Sequence, residues 1–257
     1  MLENKIVVIT GASSGIGRLT AQMLSSEGAV PILAARSRDK LEEAASDIAG
    51  KHAIQTLDVT NTDQVKQAME EIIQEHGRID ILVNNAGYGK FESALDMPPE
   101  EFQRMMDVNY MGIVRCTKAV LPHMLERRSG HIVNIASMAG KIGTAKSTAY
   151  TATKHAVLGF SNALRQELRE TGITVSTVNP GPIDTPFFDI ADPSGGYVSS
   201  VEWLMMKPEH VARKIVKLMK TGREELNLPL KAAAAMRLYQ LFPRLSDKLT
   251  YRMMNKK

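Results

Sequence analysis

The fold of this chain is decided by the stretch Lys5-Ile-Val-Val-Ile-Thr10-Gly-Ala-Ser-Ser-Gly15-Ile-Gly17. The β-branched run up to Thr10 is typical of a buried parallel strand, and a helix is predicted from the last glycines to about Glu27. Glycines between a strand and a helix let the backbone approach a phosphate group, which the free N–H groups of the first helical turn can bind. The alternative is a tight strand-to-helix turn that binds no ligand.

Short β-branched runs then alternate with longer segments of helical period. Further strands are predicted over 29–34, 53–57, 79–83, 130–135, 173–178 and 225–230, and helices over 37–49, 61–76, 98–125, 148–170 and 208–222. No linker-like composition interrupts this order. We therefore predict one α/β domain over residues 1–230, a doubly wound, Rossmann-type parallel sheet with helices on both faces, followed by a C-terminal helical extension over 231–257.

The composition is that of a soluble globular protein, with 44% hydrophobic and 23% charged residues. The one cysteine, Cys116, excludes an internal disulfide and fits a reducing compartment. No apolar run approaches the ~18 residues of a membrane span, and the first residues carry no signal-peptide pattern. We therefore expect a cytoplasmic protein.

The positive charge is concentrated at the end of the chain. The net charge is +4, whereas residues 221–257 alone carry eight Lys/Arg and three Asp/Glu. Residues 1–220 are therefore close to neutral overall. Because there is no aromatic-interleaved basic surface and no zinc or helix-turn-helix signature, we expect neither a nucleic-acid partner nor a metal site.

Tyr150 and Lys154 are four residues apart in the predicted helix 148–170, so their side chains share one face. Unperturbed phenols and lysines titrate near ~10 and ~10.4. Because an ammonium group favours the phenolate, we expect Lys154 to lower the pKa of Tyr150 toward neutral pH. Tyr150 is then a candidate to exchange a proton with a carbonyl or alcohol oxygen. Taken alone, the same spacing also fits a solvated helix surface.

Several motifs occur in a fixed order along the chain. They are Thr10-Gly-Ala-Ser-Ser-Gly-Ile-Gly17, Asn84-Asn-Ala-Gly87, Asn109, Ser137, Tyr150 with Lys154, and Asn179-Pro-Gly-Pro-Ile-Asp-Thr185. In these motifs the chain resembles the short-chain dehydrogenase/reductase family over roughly residues 5–222.

The resemblance implies an oxidoreductase that interconverts a carbonyl and an alcohol, with Asn109, Ser137, Tyr150 and Lys154 as catalytic residues. Ser137 would bind the substrate oxygen, Tyr150 would exchange a proton with it, and Lys154 would bind the nicotinamide ribose. Asn109 would hold a water molecule that links Lys154 to solvent. The alternatives are a loop-capping hydroxyl for Ser137 and a polar break in a helix for Asn109.

The resemblance also implies where the cofactor binds. The cofactor-binding residues are then Gly11, Ser13, Ser14, Gly15, Ile16, Gly17, Arg36, Arg38, Asp58, Val59, Asn85, Ala86, Gly87, Tyr150, Lys154, Pro180, Gly181, Ile183 and Thr185. Asp58 would face the adenine amino group with Val59 beside the ring, and Thr185 would meet the nicotinamide carboxamide.

Cofactor preference depends on the end of the second strand, Ala34-Ala-Arg-Ser-Arg38. An acidic residue at the position of Ala35 would bind the ribose 2′-hydroxyl and repel a 2′-phosphate. Alanine followed by Arg36 instead offers a guanidinium fork to a phosphate. We therefore favour NADP(H) over NAD(H); the alternative is two solvated arginines at a helix start.

Residues 186–206 are the predicted substrate lid. Their large side chains are Phe187, Phe188, Ile190, Tyr197, Trp203, Leu204, Met205 and Met206. An apolar lid excludes water from hydride transfer and selects apolar substrates. The same side chains also suit plain packing of the lid onto the body.

The segment 231–257 departs from the glycine-rich ending of many tetrameric, acyl-carrier-dependent family members. Its apolar stripe is Leu245, Leu249 and Met253, beside the basic residues Lys248, Arg252 and Lys256. Such an amphipathic helix can lie on an anionic membrane surface, pack on the domain, cover the site or pair with a second subunit. The expected assembly is a homo-oligomer, either a dimer or a tetramer.

We predict an NADPH-dependent reductase or alcohol dehydrogenase acting on a small to medium, apolar carbonyl or alcohol. A 3-oxoacyl-thioester reductase of fatty-acid-type metabolism is the enzymatic alternative, which the unusual ending disfavours. A nucleotide-sensing protein without turnover is the non-catalytic alternative.

Overall fold

The computed structural model describes residues 2–230 together with residues 239 and 241. Its strands are β1 (Ile6–Thr10), β2 (Val30–Ala35), β3 (Ala53–Thr56), β4 (Ile81–Asn84), β5 (Gly130–Ile135), β6 (Ile173–Pro180) and β7 (Glu225–Leu228). They form one parallel sheet in the order β3-β2-β1-β4-β5-β6-β7. The predicted doubly wound, Rossmann-type α/β fold is confirmed.

Helices cover both faces of this sheet. They are α1 (Gly15–Ser26), α2 (Arg38–Ser46), α3 (Thr62–His76), α4 (Pro99–Met106), α5 (Gly112–Glu126), α6 (Thr148–Glu167), α7 (Phe187–Ala191), α8 (Gly196–Val201) and α9 (Pro208–Thr221). Leu24, Leu41 and Val211 from α1, α2 and α9 pack in one core with Val7 and Ile9 of β1. Val65, Cys116 and Leu164 from α3, α5 and α6 pack in the other core with Val8 and Leu82. Side chains of each strand thus enter two apolar layers, one on either face of the sheet, and Cys116 is a buried core residue.

The helix predicted over 98–125 is interrupted. A π-helical turn, Asp107–Met111, joins α4 to α5. Such a turn widens the helix locally, and here it contains the fully buried Asn109. The periodicity of the apolar residues did not predict this interruption.

The segment predicted as the substrate lid, residues 186–206, contains helical structure that the sequence did not predict, namely α7, α8 and a short 3₁₀ turn, Glu202–Leu204. The Asp192 carboxylate accepts hydrogen bonds from the N–H groups of Tyr197 and Val198, at 2.8 and 2.9 Å. This carboxylate satisfies free donors in the first turn of α8, which stabilises a helix in a stretch rich in glycine and serine.

Parallel strands place the residues that follow each of them at one edge of the sheet. The chain order reverses between β1 and β4, so the loops after these two strands open a crevice at that edge. The motifs identified in the sequence follow β1, β2, β3, β4, β5 and β6, and they therefore meet along the same edge.

None of the helices within the described residues is long and apolar enough to cross a membrane. The same part of the chain contains no His, Cys, Asp or Glu group of three or more that could hold a metal ion. The amphipathic extension predicted for 231–257 lies outside the described residues, apart from residues 239 and 241. The membrane contact and the oligomer stay predictions.

Candidate active site

The glycine turn after β1 is held by the Asn84-Asn-Ala-Gly87 motif after β4. The Asn85 amide donates to the carbonyls of Thr10 and Gly11 at 2.9 and 3.0 Å. The Thr10 hydroxyl in turn accepts from the N–H groups of Asn85 and Ala86, both at 3.0 Å. These bonds fix the crevice between β1 and β4.

Close backbone approach explains why glycines stand in this turn. Gly11 has a φ of +65°, and a Cβ there would lie 2.8 Å from the Ala86 Cα. A Cβ on Gly17 would lie 2.6 Å from both the Asn85 amide nitrogen and the Gly11 carbonyl oxygen. α1 begins directly after Ser14, so its first N–H groups point out of the turn without intrahelical partners. The turn therefore fits the pyrophosphate of a dinucleotide, with Ser13 to Gly17 supplying backbone donors.

Arg36 and Arg38 follow β2 and are both exposed. The Arg38 guanidinium is paired with the Glu42 carboxylate at 2.9 Å. Arg36 has no such ion pair among the described residues, so its guanidinium is available to a phosphate. The two arginines thus differ in their ion pairing, which their sequence does not predict.

Asp58 and Val59 follow β3. The Asp58 carboxylate accepts hydrogen bonds from the N–H and hydroxyl groups of Thr60, at 2.9 and 2.8 Å. Val59 is buried, and a Cβ on Gly112 at the start of α5 would lie 2.9 Å from its side chain. Contacts with α5 thus fix this loop beside the crevice.

Tyr150 and Lys154 lie near the start of α6, against the end of β5. The Lys154 ammonium group is buried, donates to the Ile135 carbonyl at 2.9 Å, and lies 5.6 Å from the centroid of the Tyr150 ring. Ser137 begins the 3₁₀ turn Met138–Gly140, where its hydroxyl accepts from the Ala139 N–H at 3.1 Å. The Ser137 hydroxyl also donates to the Pro180 carbonyl at 3.4 Å, and it lies near enough to the Tyr150 phenol to affect its pKa. The structure thus brings the three predicted residues together, and Ser137 caps its turn as well.

The expected lowering of the tyrosine pKa is wrong. Burial raises the pKa of Tyr150 well above its usual value, and the nearby Ser137 hydroxyl offsets only part of this rise. Burial also lowers the pKa of Lys154 to about 8. The spacing of the two residues suggested a charge effect, but it could not show that removal from water is the larger effect for both groups.

Asn109 is fixed by protein contacts. Its amide nitrogen donates to the Tyr88 carbonyl at 2.8 Å and to the Thr153 hydroxyl at 3.1 Å, and its oxygen accepts from the Tyr88 N–H at 2.9 Å. Both donors are used, which leaves one acceptor position on the oxygen for a solvent molecule. The Thr153 hydroxyl donates onward to the Tyr150 carbonyl at 2.8 Å. Asn109 thus joins the loop after β4 to the helix of Tyr150.

Two close approaches bring the loops of the β1–β4 crevice next to Lys154 and Thr185. A Cβ on Gly87 would lie 3.0 Å from the Asn109 oxygen and 3.8 Å from the Lys154 ammonium nitrogen. A Cβ on Gly15 would lie 3.7 Å from the Thr185 side chain. The segment after β6 is fixed by bonds from Gly181 N–H to Leu228 and by pairing of Ile183 with Met206. The Gly87 loop therefore lies next to Lys154, and the glycine turn lies next to Thr185.

Sequence reasoning missed Thr153, Gly89 and Phe91. The Phe91 ring lies 6.0 Å from the Tyr150 ring and 4.7 Å from the Tyr197 ring of the lid. Gly89 lies close to the rings of Phe187 and Tyr150. Phe91 and Gly89 stand in an aperiodic loop, where no pattern indicates which side chains point into the site.

The chain matches the family model of short chain dehydrogenases over residues 5–193. An oxidoreductase of Staphylococcus aureus (strain N315) is 38% identical over 219 residues, which cover 82% of this chain and 95% of that protein. A short-chain dehydrogenase structure from Streptomyces avermitilis is 27% identical with a TM-score of 0.85, covering 97% of this chain and 96% of that one. An alcohol dehydrogenase from the archaeon Thermococcus sibiricus, complexed with 5-hydroxy-NADP, is 29% identical with a TM-score of 0.79. The match covers 88% of this chain and 96% of that one.

The chain therefore belongs to the short-chain dehydrogenase family. It is an oxidoreductase of the class that uses a nicotinamide dinucleotide.

Proposed function

We propose that the protein is an NADPH-dependent carbonyl reductase in which Tyr150 donates the proton to the substrate oxygen. The observation that carries this proposal is the approach of the Gly87 loop to the buried Lys154 ammonium group, which joins the dinucleotide crevice to the Tyr150 pocket. When bound, the nicotinamide supplies the hydride.

The roles of the residues follow from their positions. Ser137 holds the substrate oxygen beside the Tyr150 phenol, whose pKa its hydroxyl already lowers. The raised pKa keeps the phenol protonated at neutral pH, so the proton that carbonyl reduction needs is present on Tyr150. Lys154 binds the nicotinamide ribose hydroxyls. Asn109 positions Tyr88 and Thr153 around the reacting pair, and its remaining acceptor position can hold the water molecule that resupplies the proton.

The preference for NADPH rests on Arg36. Its guanidinium has no competing ion pair within the described residues, and Ala35 places no carboxylate at the end of β2 to repel a 2′-phosphate. The NADP analogue bound by the Thermococcus sibiricus relative supports the same preference.

Titration of the purified protein with NADPH and NADH, followed by fluorescence, tests the proposal first. A panel of ketones and aldehydes is then assayed with the cofactor that binds. We expect tight NADPH binding and its oxidation by apolar carbonyls. Tighter binding of NADH would refute the role of Arg36 alone, whereas no binding of either cofactor would refute the proposed function.

A further inference from the structure

The Tyr150 ring contacts aromatic rings from two separate loops. The Phe91 ring, after β4, meets it edge to face with centroids 6.0 Å apart and an interplanar angle of 75°. The Phe187 ring, at the start of α7 in the lid, lies 5.6 Å from it. The ring of the proposed proton donor therefore contacts two phenylalanine rings that come from different loops.

These rings belong to one aromatic cluster. Phe91 lies 4.7 Å from Tyr197 and 6.4 Å from Phe188, and Phe187 meets Phe188 edge to face at 5.3 Å. The Phe91 N–H donates to the Ala191 carbonyl at 2.8 Å, which ties the loop after β4 to the lid backbone. The two loops therefore form one aromatic wall around Tyr150.

Gly89 permits the approach of Phe187 to Tyr150. A Cβ at this position would lie 2.7 Å from the Phe187 Cζ and 3.3 Å from the Tyr150 ring. A side chain at position 89 would displace the Phe187 ring. Because glycine has no side chain, the Phe187 ring can lie against Tyr150.

A carbonyl oxygen must reach the Tyr150 hydroxyl, so the group attached to the carbonyl carbon must enter between Tyr150 and these rings. Its entry separates Phe187 from Tyr150 and removes a ring-to-ring contact. An aromatic group restores edge-to-face or offset contacts on both sides, whereas a saturated ring of equal size restores only the burial of apolar surface. The ring contact favours an aromatic substrate by about two- to tenfold per pair.

We propose that the substrate is an aryl carbonyl, with the ring attached directly to the reacting carbon. This substrate assignment rests on the proposed reduction at Tyr150. Phe91 and Phe187 determine this specificity, since both lie against Tyr150 and come from different loops. The reaction moves a hydride to the carbonyl carbon and the Tyr150 proton to its oxygen, giving an aryl alcohol and oxidised cofactor.

The test compares kcat/KM for benzaldehyde and cyclohexanecarboxaldehyde, and for acetophenone and cyclohexyl methyl ketone. Because the members of each pair differ in intrinsic reactivity, the informative quantity is the change in the aryl-to-cyclohexyl ratio between protein variants. Phe187→Leu and Phe91→Leu each remove one flanking ring. Phe160→Leu is the matched control, because it removes an edge-to-face pair with Tyr110 at 6.1 Å that lies outside the aromatic wall.

We expect the ratio to fall by about two- to tenfold in Phe187→Leu and in Phe91→Leu and to stay unchanged in Phe160→Leu. Gly89→Ala is also expected to lower the aryl-to-cyclohexyl ratio. If either leucine variant folds and retains the wild-type ratio, the inference is overturned while carbonyl reduction stands. If the wild-type protein binds NADPH but reduces none of the four compounds or a wider carbonyl panel, the proposed function itself fails and the inference fails with it.

Discussion

The ammonium nitrogen of Lys154 lies 5.6 Å from the centroid of the Tyr150 ring. Removal from water favours the neutral form of both groups, which raises the pKa of the phenol and lowers the pKa of the lysine to about 8. At neutral pH the pocket therefore holds a protonated phenol beside an ammonium group that loses its proton only in mildly alkaline solution.

The first prediction concerns pH. Lys154 is charged below about pH 8 and neutral above it, so kcat/KM for NADPH in carbonyl reduction should be level below that pH and fall as the pH rises through it. The parameter kcat/KM for the cofactor reports the titrating groups of the free enzyme. The measurement is a steady-state profile from pH 6 to pH 10.

Lys154→Arg provides the comparison for this profile, since arginine stays charged over the whole range. Its residual activity should show no inflection near pH 8. A wild-type profile that stays level up to pH 10 would contradict the assignment to Lys154.

The second prediction concerns Arg36. Arg36→Ala should weaken NADPH binding by about tenfold, the low end for a hydrogen bond to a charged group, because the guanidinium is exposed. NADH affinity should not change. Arg38→Ala is the control, and it should have a smaller effect because its guanidinium is already paired with Glu42. Equal losses for both cofactors in Arg36→Ala would refute a contact with the 2′-phosphate.

The third prediction concerns the glycine turn. A Cβ on Gly17 would lie 2.6 Å from the Asn85 amide and from the Gly11 carbonyl, which are hydrogen-bonded to each other. Gly17→Ala should lower the free energy of unfolding by about 1–3 kcal/mol and abolish tight NADPH binding. Urea denaturation and fluorescence titration measure the two effects.

Gly159→Ala is the matched control for that variant. Gly159 is exposed on α6, and a Cβ there meets nothing within 4 Å. Since alanine favours a helix over glycine, this variant should be more stable than wild type by about 0.5–1 kcal/mol. If Gly17→Ala behaved like Gly159→Ala, the close approach of the two loops would be disproved.

The fourth prediction concerns the buried carboxylate of Asp80. It accepts from the Ile6 N–H at 2.9 Å and pairs with Lys5, Arg78 and Arg127 at 3.2, 2.9 and 3.2 Å. Burial acts to raise the pKa of Asp80, but the hydrogen bonds with Arg78, Ile6 and Lys5 outweigh it and lower the pKa. Asp80→Ala leaves three cations without their anion and should lower the free energy of unfolding by about 3 kcal/mol at neutral pH.

The pH dependence of this effect has a definite sign. A carboxylate with a lowered pKa stabilises the fold above its unfolded pKa of about 3.9, and this stabilisation is lost as the pH falls through the folded value. The difference between wild type and Asp80→Ala should therefore shrink below about pH 4. Asp63→Ala, an exposed change in the first turn of α3, should cost under about 1 kcal/mol at any pH. If the difference in unfolding free energy between wild type and Asp80→Ala did not change with pH, the charged network around Asp80 would be contradicted.

Much of the fold could be predicted because its strands are β-branched runs and its helices carry one apolar stripe each. These patterns placed β5 at residues 130–135, and the rule for parallel strands then gathered Gly11, Asn85 and Ser137 at one edge. A strand that is buried on both faces is visible in sequence as a continuous apolar run, because this pattern is local.

The parts that could not be predicted depend on contacts between distant segments. The π-helical turn at Asn109 is fixed by hydrogen bonds to Tyr88 and Thr153, which periodicity does not encode. The contact of Phe91 with Tyr150 and the lid arises between loops. The direction of the Tyr150 pKa shift was predicted wrongly because charge is visible in sequence but burial of a given side chain is not.

The most direct test of the central claim is carbonyl reduction by Tyr150→Phe, measured together with its NADPH affinity. We expect this variant to retain NADPH binding and to lose turnover by at least ~10²-fold, the contribution of a positioned general acid. A Tyr150→Phe protein that reduces a carbonyl at a near-wild-type rate would contradict the assignment of Tyr150 as the proton donor.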